Sequence, residues 1–377
     1  MPRFESVLVP GGLRGHMTTQ FKPKFMPLGI GSMPFKDVDH AIDVTLSRME
    51  KGAPTWPQLP ACDPRERMER QYSEGMPNIV IDEAKGRIFF DTETDYCEKF
   101  GAFYENYLQA MDPDSGNGDC SSMAISPEYS RGLYALEARL KARKGTPFPF
   151  VKVQVTGPCT FALSIVDENK RLIYHHKEFR DMITKAIAMK CRWMIQKFKP
   201  YAEKVICFLD EPILSAFGSS TYVTVNSSDV IGMLKEVIEG INTEEAISGV
   251  HCCGNTEWPI LMDAGVDVIS FDAFQYAYTL ALYPEQVKAY FARGGIFAWG
   301  VIPTSPEIRN QSLETLEAKL DEGIARIASL GIDKTKIAEQ SILTPACGTG
   351  SMAVEDAERV YEFLQKLPVR MQAKFNF

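Results

Sequence analysis

The sequence predicts an α/β protein built as a (β/α)₈ TIM barrel, and three observations lead to this fold class. Short runs of continuous apolar residues suit strands that are buried on both faces of a parallel sheet. Amphipathic helical patterns alternate with these runs through the second half of the chain, which favours βαβ units. Counting one weak run, the chain has eight candidate strands, the number that closes such a barrel. A doubly wound open sheet is the competing architecture.

The candidate strands end abruptly at polar, glycine or proline residues, and the run at 53–60 is the weakest of them. They cover residues 27–32, 53–60, 151–158, 204–212, 247–254, 266–273, 296–303 and 341–348. The candidate helices carry apolar residues at three- and four-residue spacing. They cover residues 178–199, 228–240, 257–264, 284–293, 313–330 and 354–366. In such a barrel, the functional residues gather at the C-terminal ends of the strands.

Residues 61–150 follow this alternation less well, which bears on the domain organisation. We expect residues 1–20 to be a flexible N-terminal extension and 21–377 to be a single barrel domain. Within that domain, 61–150 is interpreted as an insertion over the barrel mouth. It holds a charged helix, a hairpin that turns near Lys85 and Gly86, and a polar loop at 112–119.

Composition and charge exclude several classes of protein. The chain has 377 residues, of which 45% are hydrophobic, so it has ample apolar material for a large core and is not disordered as a whole. A formal charge of −8 argues against nucleic acid as the main partner, because phosphate binding requires a basic surface. No run of residues is long and apolar enough to predict a membrane span.

The nine cysteines bear on the cellular compartment. Their number is odd, they are spread widely, and the N-terminal residues lack the apolar core of an export signal. We therefore expect a cytoplasmic protein with reduced cysteines, in which a cysteine cluster indicates a metal or catalytic site before a disulfide.

The strongest chemical signal is the segment His251-Cys252-Cys253-Gly254-Asn255, at the end of one candidate strand. His251 and Cys253 lie on the same side of an extended segment, so both can reach one metal ion, whereas Cys252 points away and packs. A third thiol, Cys347, ends the last candidate strand, and strand ends converge at a barrel mouth. One imidazole and two thiolates form a suitable zinc site. The alternative is that these cysteines are buried small hydrophobic residues.

Carboxylates end two further candidate strands. Asp272 is a candidate fourth metal ligand, with a helix N-cap or a salt bridge as the alternative. Asp210 and Glu211 precede a proline, where carboxylates suit the binding of an ammonium group or general-base catalysis. A structural cap is the alternative for either one. At the first strand end, glycines beside Ser32 would allow backbone amides to approach a carboxylate.

Taken in order, these motifs resemble the C-terminal catalytic half of cobalamin-independent methionine synthase. They are still more similar to its short single-barrel relatives, the core methionine synthases, within the superfamily that includes the uroporphyrinogen decarboxylases. The resemblance covers roughly residues 25–370. The matching segments, each at a candidate strand end, are 30–32, 156–158, 210–212, 251–253, 267–272 and 345–348.

The resemblance implies a catalytic zinc ion bound by His251, Cys253 and Cys347. Asp272 stands where the long synthases have a glutamate ligand, one methylene longer, and the fourth zinc ligand is left open. The resemblance also implies that Asp210 holds the amino group of homocysteine.

The same family pattern assigns further substrate contacts. Ile30 and Ser32 are implied to hold the carboxylate of homocysteine through their backbone. Glu74 matches a further substrate-binding glutamate of the family, in a loosely aligned segment. The decarboxylase branch fits poorly, because the region of the first strand lacks the arginine-rich segment that a porphyrin carboxylate would need.

The implied activity is transfer of a methyl group to the thiol of homocysteine, or of a similar small thiol, to give methionine. The folate-dependent synthases have two barrels and this chain has the length of one, so we expect a methyl-corrinoid or corrinoid protein as the methyl donor. One alternative is a methylcobamide-dependent enzyme that methylates coenzyme M or another thiol. A second is a non-catalytic module that binds zinc or a corrinoid. The oligomeric state is left open.

Overall fold

The computed structural model describes residues 21–112, 118–143 and 145–377. The predicted N-terminal extension, 1–20, and residues 113–117 of the predicted polar loop lie outside the described residues. Among the helices of the described part, none is long and apolar enough to cross a membrane.

The strands of the described residues form one large sheet and one small sheet. In chain order they are β1 (Met26–Pro27), β2 (Ile79–Asp82), β3 (Arg87–Phe90), β4 (Phe148–Thr156), β5 (Val166–Asp167), β6 (Ala202–Asp210), β7 (Ile247–Cys252), β8 (Val268–Phe271), β9 (Ile296–Ile302) and β10 (Ser341–Pro345). The large sheet is parallel and has seven strands in the order β1-β10-β9-β8-β7-β6-β4. The small sheet has the order β2-β3-β5.

Helices follow most strands of the large sheet, as the alternating pattern predicts. The α-helices of the described residues are α1 (Val38–Arg48), α2 (Met68–Ser73), α3 (Cys97–Met111), α4 (Arg131–Ala142), α5 (Pro158–Ser164), α6 (Lys177–Phe198), α7 (Ser227–Thr243), α8 (Trp258–Asp263), α9 (Ala273–Leu280), α10 (Pro284–Ala292), α11 (Leu313–Ala328), α12 (Lys334–Glu339) and α13 (Val354–Phe375). Each of the six predicted helices is present. The helix α2 corresponds to the charged helix predicted in the insertion, whereas α1, α3, α4, α5, α9 and α12 are additional to the predicted set.

The large sheet curls into a half-barrel, and the closed eight-stranded barrel predicted from the sequence is wrong in that respect. The weak candidate strand at 53–60 forms only isolated parallel bridges, which join Leu28 to Ala53, Ser32 to Gln58 and Thr55 to Lys152. Pro54, Pro57 and Pro60 explain this, because a proline has no amide hydrogen to donate to a ladder. The segment therefore contacts both edges of the curled sheet without forming a regular strand.

Alternation along the strands separates two apolar cores. In β6, Ile206 and Phe208 belong to the core inside the curl, whereas Cys207 and Leu209 pack against the helices. The inner core consists of Met26, Leu28, Ala53, Ile206, Phe208, Ile247, Val268, Ile296, Ala298 and Ile342. By the same period of two, Asp210 lies on the inner face where β6 ends. The inner surface is therefore apolar towards the N-terminal ends of the strands and polar at their C-terminal ends.

The predicted hairpin of the insertion is confirmed. The strands β2 and β3 pair antiparallel, and Gly86 adopts a φ of 60° in the turn between them. A second part of the insertion, α2, reaches the C-terminal end of β4, where the Tyr72 hydroxyl donates to the carbonyl oxygen of Gln154 at 2.8 Å. Through this bond the insertion contacts the end of the half-barrel that carries the polar residues.

Candidate metal centre

Three predicted metal ligands come together at the C-terminal ends of the strands. His251 lies in β7, Cys253 directly follows that strand, and Cys347 follows β10. One ligand atom from each lies within 4.8 Å of the other two. Donor atoms that share a zinc ion are roughly 3.5–3.8 Å apart, since each lies 2.0–2.3 Å from the metal. Small side-chain shifts would therefore close this group around an ion.

The imidazole of His251 is oriented for metal binding. Its Nδ1 atom lies 3.0 Å from the Ser270 hydroxyl oxygen, and its Nε2 atom is buried without a hydrogen-bond partner among the described residues. With the proton on Nδ1, the lone pair of Nε2 is available to a metal. A buried nitrogen without a partner is costly, so this atom fits a site that takes a ligand.

The two thiols of the group have pKa values that are shifted in opposite directions. The neighbouring thiol of Cys347, and then the imidazole of His251, stabilise the thiolate of Cys253 and lower its pKa. The interaction with Cys253, together with burial, raises the pKa of Cys347. One thiolate is thus stabilised by its neighbours, and a cation would be needed to stabilise the second. One imidazole and two thiolates are a donor set that fits zinc.

Cys252 takes no part in this group. It is fully buried in the core between the sheet and the helices, and its thiol donates to the carbonyl oxygen of Gly254 at 3.6 Å. Burial raises its pKa to about 12. The separation of Cys252 from its two sequence neighbours follows from the alternation of side chains along a strand.

Asp272 is placed as the N-cap of α9. Its carboxylate accepts from the amide of Gln275 at 2.9 Å, so the helix-cap alternative describes the structure. Burial raises the pKa of Asp272 to about 6, the Gln275 amide opposes this shift, and the charge on Cys253 adds to it. The group of three metal-ligating atoms does not include this side chain. Its role as a fourth zinc ligand stays a prediction.

Asp210 ends β6 beside the metal group, and its backbone is in register with that of His251 in β7. The side chain is buried, and Oδ1 has no hydrogen-bond partner among the described residues. Burial raises the pKa of Asp210, while the nearby ammonium of Lys152 opposes this shift. An unpartnered carboxylate oxygen of this kind suits a ligand that donates hydrogen bonds and carries positive charge.

Glu211 points away from this position. Its two carboxylate oxygens accept from the amides of Cys159 and Thr160, at 2.9 and 2.6 Å, at the start of α5. Gly157 makes room for it, because a Cβ atom there would lie 2.1 Å from the carboxylate. Burial raises the pKa of Glu211 to about 7. The structural-cap alternative therefore describes Glu211.

The loop that follows β1 presents open backbone amides. Among the described residues, the amides of Ile30 and Ser32 donate to no hydrogen-bond acceptor. The loop is held on both sides, because the Lys152 ammonium donates to the Ile30 carbonyl and the Thr349 amide donates to the Ser32 carbonyl at 2.8 Å. Their predicted role in binding a carboxylate stays a prediction, and the open amides are compatible with it.

Glu74 is held by two hydrogen bonds, one through its carboxylate and one through its carbonyl oxygen. Its carboxylate accepts from the amide of Ser126 at 2.7 Å, and its carbonyl oxygen accepts from the ammonium of Lys190 at 2.6 Å. The first bond lies within the insertion, and the second connects the insertion to α6. The structure does not bring Glu74 into the metal group, and its role in substrate binding stays a prediction.

Sequence reasoning missed three residues of this region, namely Lys152, Thr156 and Ser270. Lys152 and Thr156 lie four residues apart on one face of β4, and Ser270 lies two residues before Asp272. The available signal was polarity at the inward positions of apolar strands, because a charge or hydroxyl there must have a partner.

No protein-family model matches the chain, and comparison with curated proteins finds no match. The donor atoms of the site, the open polar groups beside it and the sequence motifs that supply them are therefore the features that point to a function.

Proposed function

We propose that the protein is a zinc-dependent methyltransferase that moves a methyl group from a methyl-corrinoid to the thiol of homocysteine, giving methionine. The observation that carries the proposal is the group formed by His251, Cys253 and Cys347, whose ligand atoms lie within 4.8 Å of one another. Its position at the ends of parallel strands is where α/β proteins commonly bind their ligands.

The surrounding open groups support an amino-acid thiol as the acceptor. Asp210 offers an unpartnered carboxylate oxygen, which suits an ammonium group. The amides of Ile30 and Ser32 offer two donors, which suit a carboxylate. Homocysteine carries a thiol, an ammonium group and a carboxylate, so each functional group has a complementary partner in this part of the chain.

The residues of the chain bind and orient the acceptor. A zinc ion at this centre supplies Lewis acidity, which lowers the pKa of a thiol and keeps its sulfur nucleophilic at neutral pH. Asp210 and the loop at Ile30 and Ser32 hold the two ends of the amino-acid moiety. The sulfur is thereby directed at the methyl group of the donor. In the transfer, the new sulfur–carbon bond would form as the cobalt–carbon bond of the methyl-corrinoid breaks, its electron pair would stay on the corrinoid as cobalt(I), and the thiol proton would be released to water. The positioning of the two reactants is expected to supply much of the rate enhancement.

Asp210 favours homocysteine over a sulfonate thiol such as coenzyme M. A sulfonate has no hydrogen to donate to the carboxylate, and its negative charge would be repelled at short range. A sulfonate acceptor would therefore leave the buried Oδ1 atom of Asp210 without a partner.

The test combines zinc content with a methyl-transfer assay. The purified wild type and the Cys347→Ser variant are incubated with homocysteine and either methylcobalamin or methyltetrahydrofolate, and methionine is measured. We expect about one zinc ion per wild-type chain, as a single three-ligand site holds, with methionine formed from methylcobalamin. The variant should lose zinc and activity together.

Cys252→Ala is the matched control, because it removes the neighbouring thiol that packs among the helices. This variant should retain both zinc and activity. Unchanged zinc content in Cys347→Ser would contradict the metal site. Methionine formed from methyltetrahydrofolate alone would contradict the corrinoid donor, and zinc without turnover on any thiol would favour a binding module.

A further inference from the structure

Three adjacent strands of the half-barrel each carry a buried polar atom that has no hydrogen-bond partner among the described residues. The three atoms lie at the same level of the sheet. Thr156 of β4 is in register with Asp210 of β6, and Asp210 is in register with His251 of β7. The atoms are Thr156 Oγ1, Asp210 Oδ1 and His251 Nε2, and none has a hydrogen-bond partner among the described residues. Together they form a continuous strip across the inner face of the sheet.

The position of Thr156 in this strip is not explained by packing. Register partners in a parallel ladder lie about 4.8 Å apart and direct their side chains to the same face. Thr156 and Asp210 are therefore neighbours on the inner face, yet the Thr156 hydroxyl is not bonded to the carboxylate or to any other described group. Valine has the same shape as threonine and would fill the position without the cost of a buried hydroxyl.

The chemistry of the two atoms defines the ligand group that would satisfy both. Asp210 Oδ1 accepts hydrogen bonds, and a threonine hydroxyl has lone pairs that also accept them. An ammonium group has three donors and can serve both acceptors at once. A carboxylate or sulfonate has no donor, and a metal ion is already accounted for by His251 and the two thiols.

We propose that Thr156 and Asp210 together form the binding pocket for the ammonium group of an amino-acid thiol, with Thr156 as a specificity-determining residue. This inference rests on the proposed function and extends it. Asp210 provides the charge, and Thr156 provides the second acceptor that fixes the direction of the ammonium group. Thiols that lack an amino group lose both contacts.

The experiment compares the binding of two ligands by isothermal titration calorimetry with the zinc-loaded full chain. The ligands are L-homocysteine and its desamino analogue, which keeps the thiol and the carboxylate. We expect Thr156→Val to weaken homocysteine binding about tenfold, as befits a lost hydrogen bond to a charged group, and to leave binding of the analogue unchanged. Thr156→Ser, which keeps the hydroxyl, should restore homocysteine affinity.

A double variant tests whether the two residues act on one group. If both contact the ammonium, the loss in Thr156→Val combined with Asp210→Asn should be smaller than the product of the separate losses. An equal loss for both ligands in Thr156→Val, or no loss for homocysteine, would overturn the role of Thr156. A wild type that does not discriminate between the two ligands would overturn the pocket as a whole.

These outcomes are separate from those that bear on the proposed activity. Discrimination by the wild type that depends on Thr156, without methyl transfer from any donor, would support the pocket and contradict the methyltransferase. Methyl transfer to homocysteine that is unaffected by Thr156→Val, with unchanged affinity, would support the methyltransferase and overturn the pocket.

Discussion

The Nδ1 atom of His251 lies 3.0 Å from the hydroxyl oxygen of Ser270, its register partner on the neighbouring strand. This bond orients the imidazole, and Nε2 has no hydrogen-bond partner among the described residues. Both residues are buried, so water does not compete strongly for the interaction. A hydrogen bond of this kind sets the tautomer of a ligating histidine and raises its affinity for a metal.

Replacing Ser270 by alanine should therefore weaken metal binding without removing a ligand. We expect Ser270→Ala to lower the affinity for zinc about tenfold, the lower end of the effect that such supporting groups have on metal sites. Competition with a chromophoric chelator measures this affinity. Ser270→Thr keeps the hydroxyl and serves as the control. Equal zinc affinity in wild type and Ser270→Ala would show that Ser270 does not support the ligand.

The loop that holds the open amides depends on the conformation of Gly31. Its φ is 151°, a region that favours glycine, and a Cβ atom there would lie 2.6 Å from Gln154 Nε2 and 2.7 Å from Gln58 Oε1. Gly31→Ala should lower the free energy of unfolding by about 1–3 kcal/mol, through strain and crowding together. It should also weaken homocysteine binding, since the amides of Ile30 and Ser32 would be displaced.

Urea denaturation and calorimetry measure these two effects. Gly29→Ala is the matched control, because its nearest contact is the flexible Met49 side chain at 3.1 Å and its φ lies outside the left-handed region. It should have the smaller effect on both quantities. Equal effects from the two substitutions would contradict a special role for the backbone conformation at Gly31.

The buried ammonium of Lys190 predicts a pH-dependent contribution to stability. It donates to the carbonyl oxygens of Glu74 and Met123 at 2.6 and 3.3 Å, and burial lowers its pKa from 10.5 to about 8. Between pH 8 and 10.5 the unfolded chain binds a proton that the folded chain has lost. The contribution of Lys190 to the free energy of unfolding therefore rises with pH across this interval.

Lys190→Met removes this titration. The free energy of unfolding of the wild type, relative to that of the variant, should increase by about 1–2 kcal/mol between roughly pH 7.5 and 9.5. Urea denaturation at both pH values measures the change. Lys141→Met, at an exposed position of α4, is the control and should produce no such trend. A constant difference between wild type and Lys190→Met would contradict the depressed pKa.

Local pattern predicted much of the sheet and the metal group. The seven clear candidate strands all have a counterpart in the large sheet, although the first is reduced to Met26–Pro27. His251 and Cys253 were predicted as partners from their spacing, because side chains two residues apart share one face of an extended chain. Cys347 was predicted from its place at a strand end. Each of these inferences needs only short-range geometry and the direction of the strands.

The sequence pattern was less informative where contacts with another segment determine the direction of a side chain or the formation of a strand. Asp210 and Glu211 are adjacent and chemically alike, yet one faces the inner side of the sheet and the other caps α5. The 53–60 segment has apolar character, but its prolines leave isolated bridges where a strand was predicted. In both cases, hydrogen bonds to other segments of the chain determine the conformation. The sequence of one segment does not reveal which other segments it will contact.

The amino-acid sequence by itself determined which side chains alternate between the two faces of a strand and where the apolar runs end. It also determined which thiols and which imidazole lie at the ends of those runs. Only the tertiary structure decided the lateral order that sets Thr156, Asp210 and His251 side by side, and the contact between His251 and Ser270. The physical reason is that side-chain alternation is a local property of the backbone. Register between strands depends on pairing across many intervening residues, and on the packing of the helices that connect them.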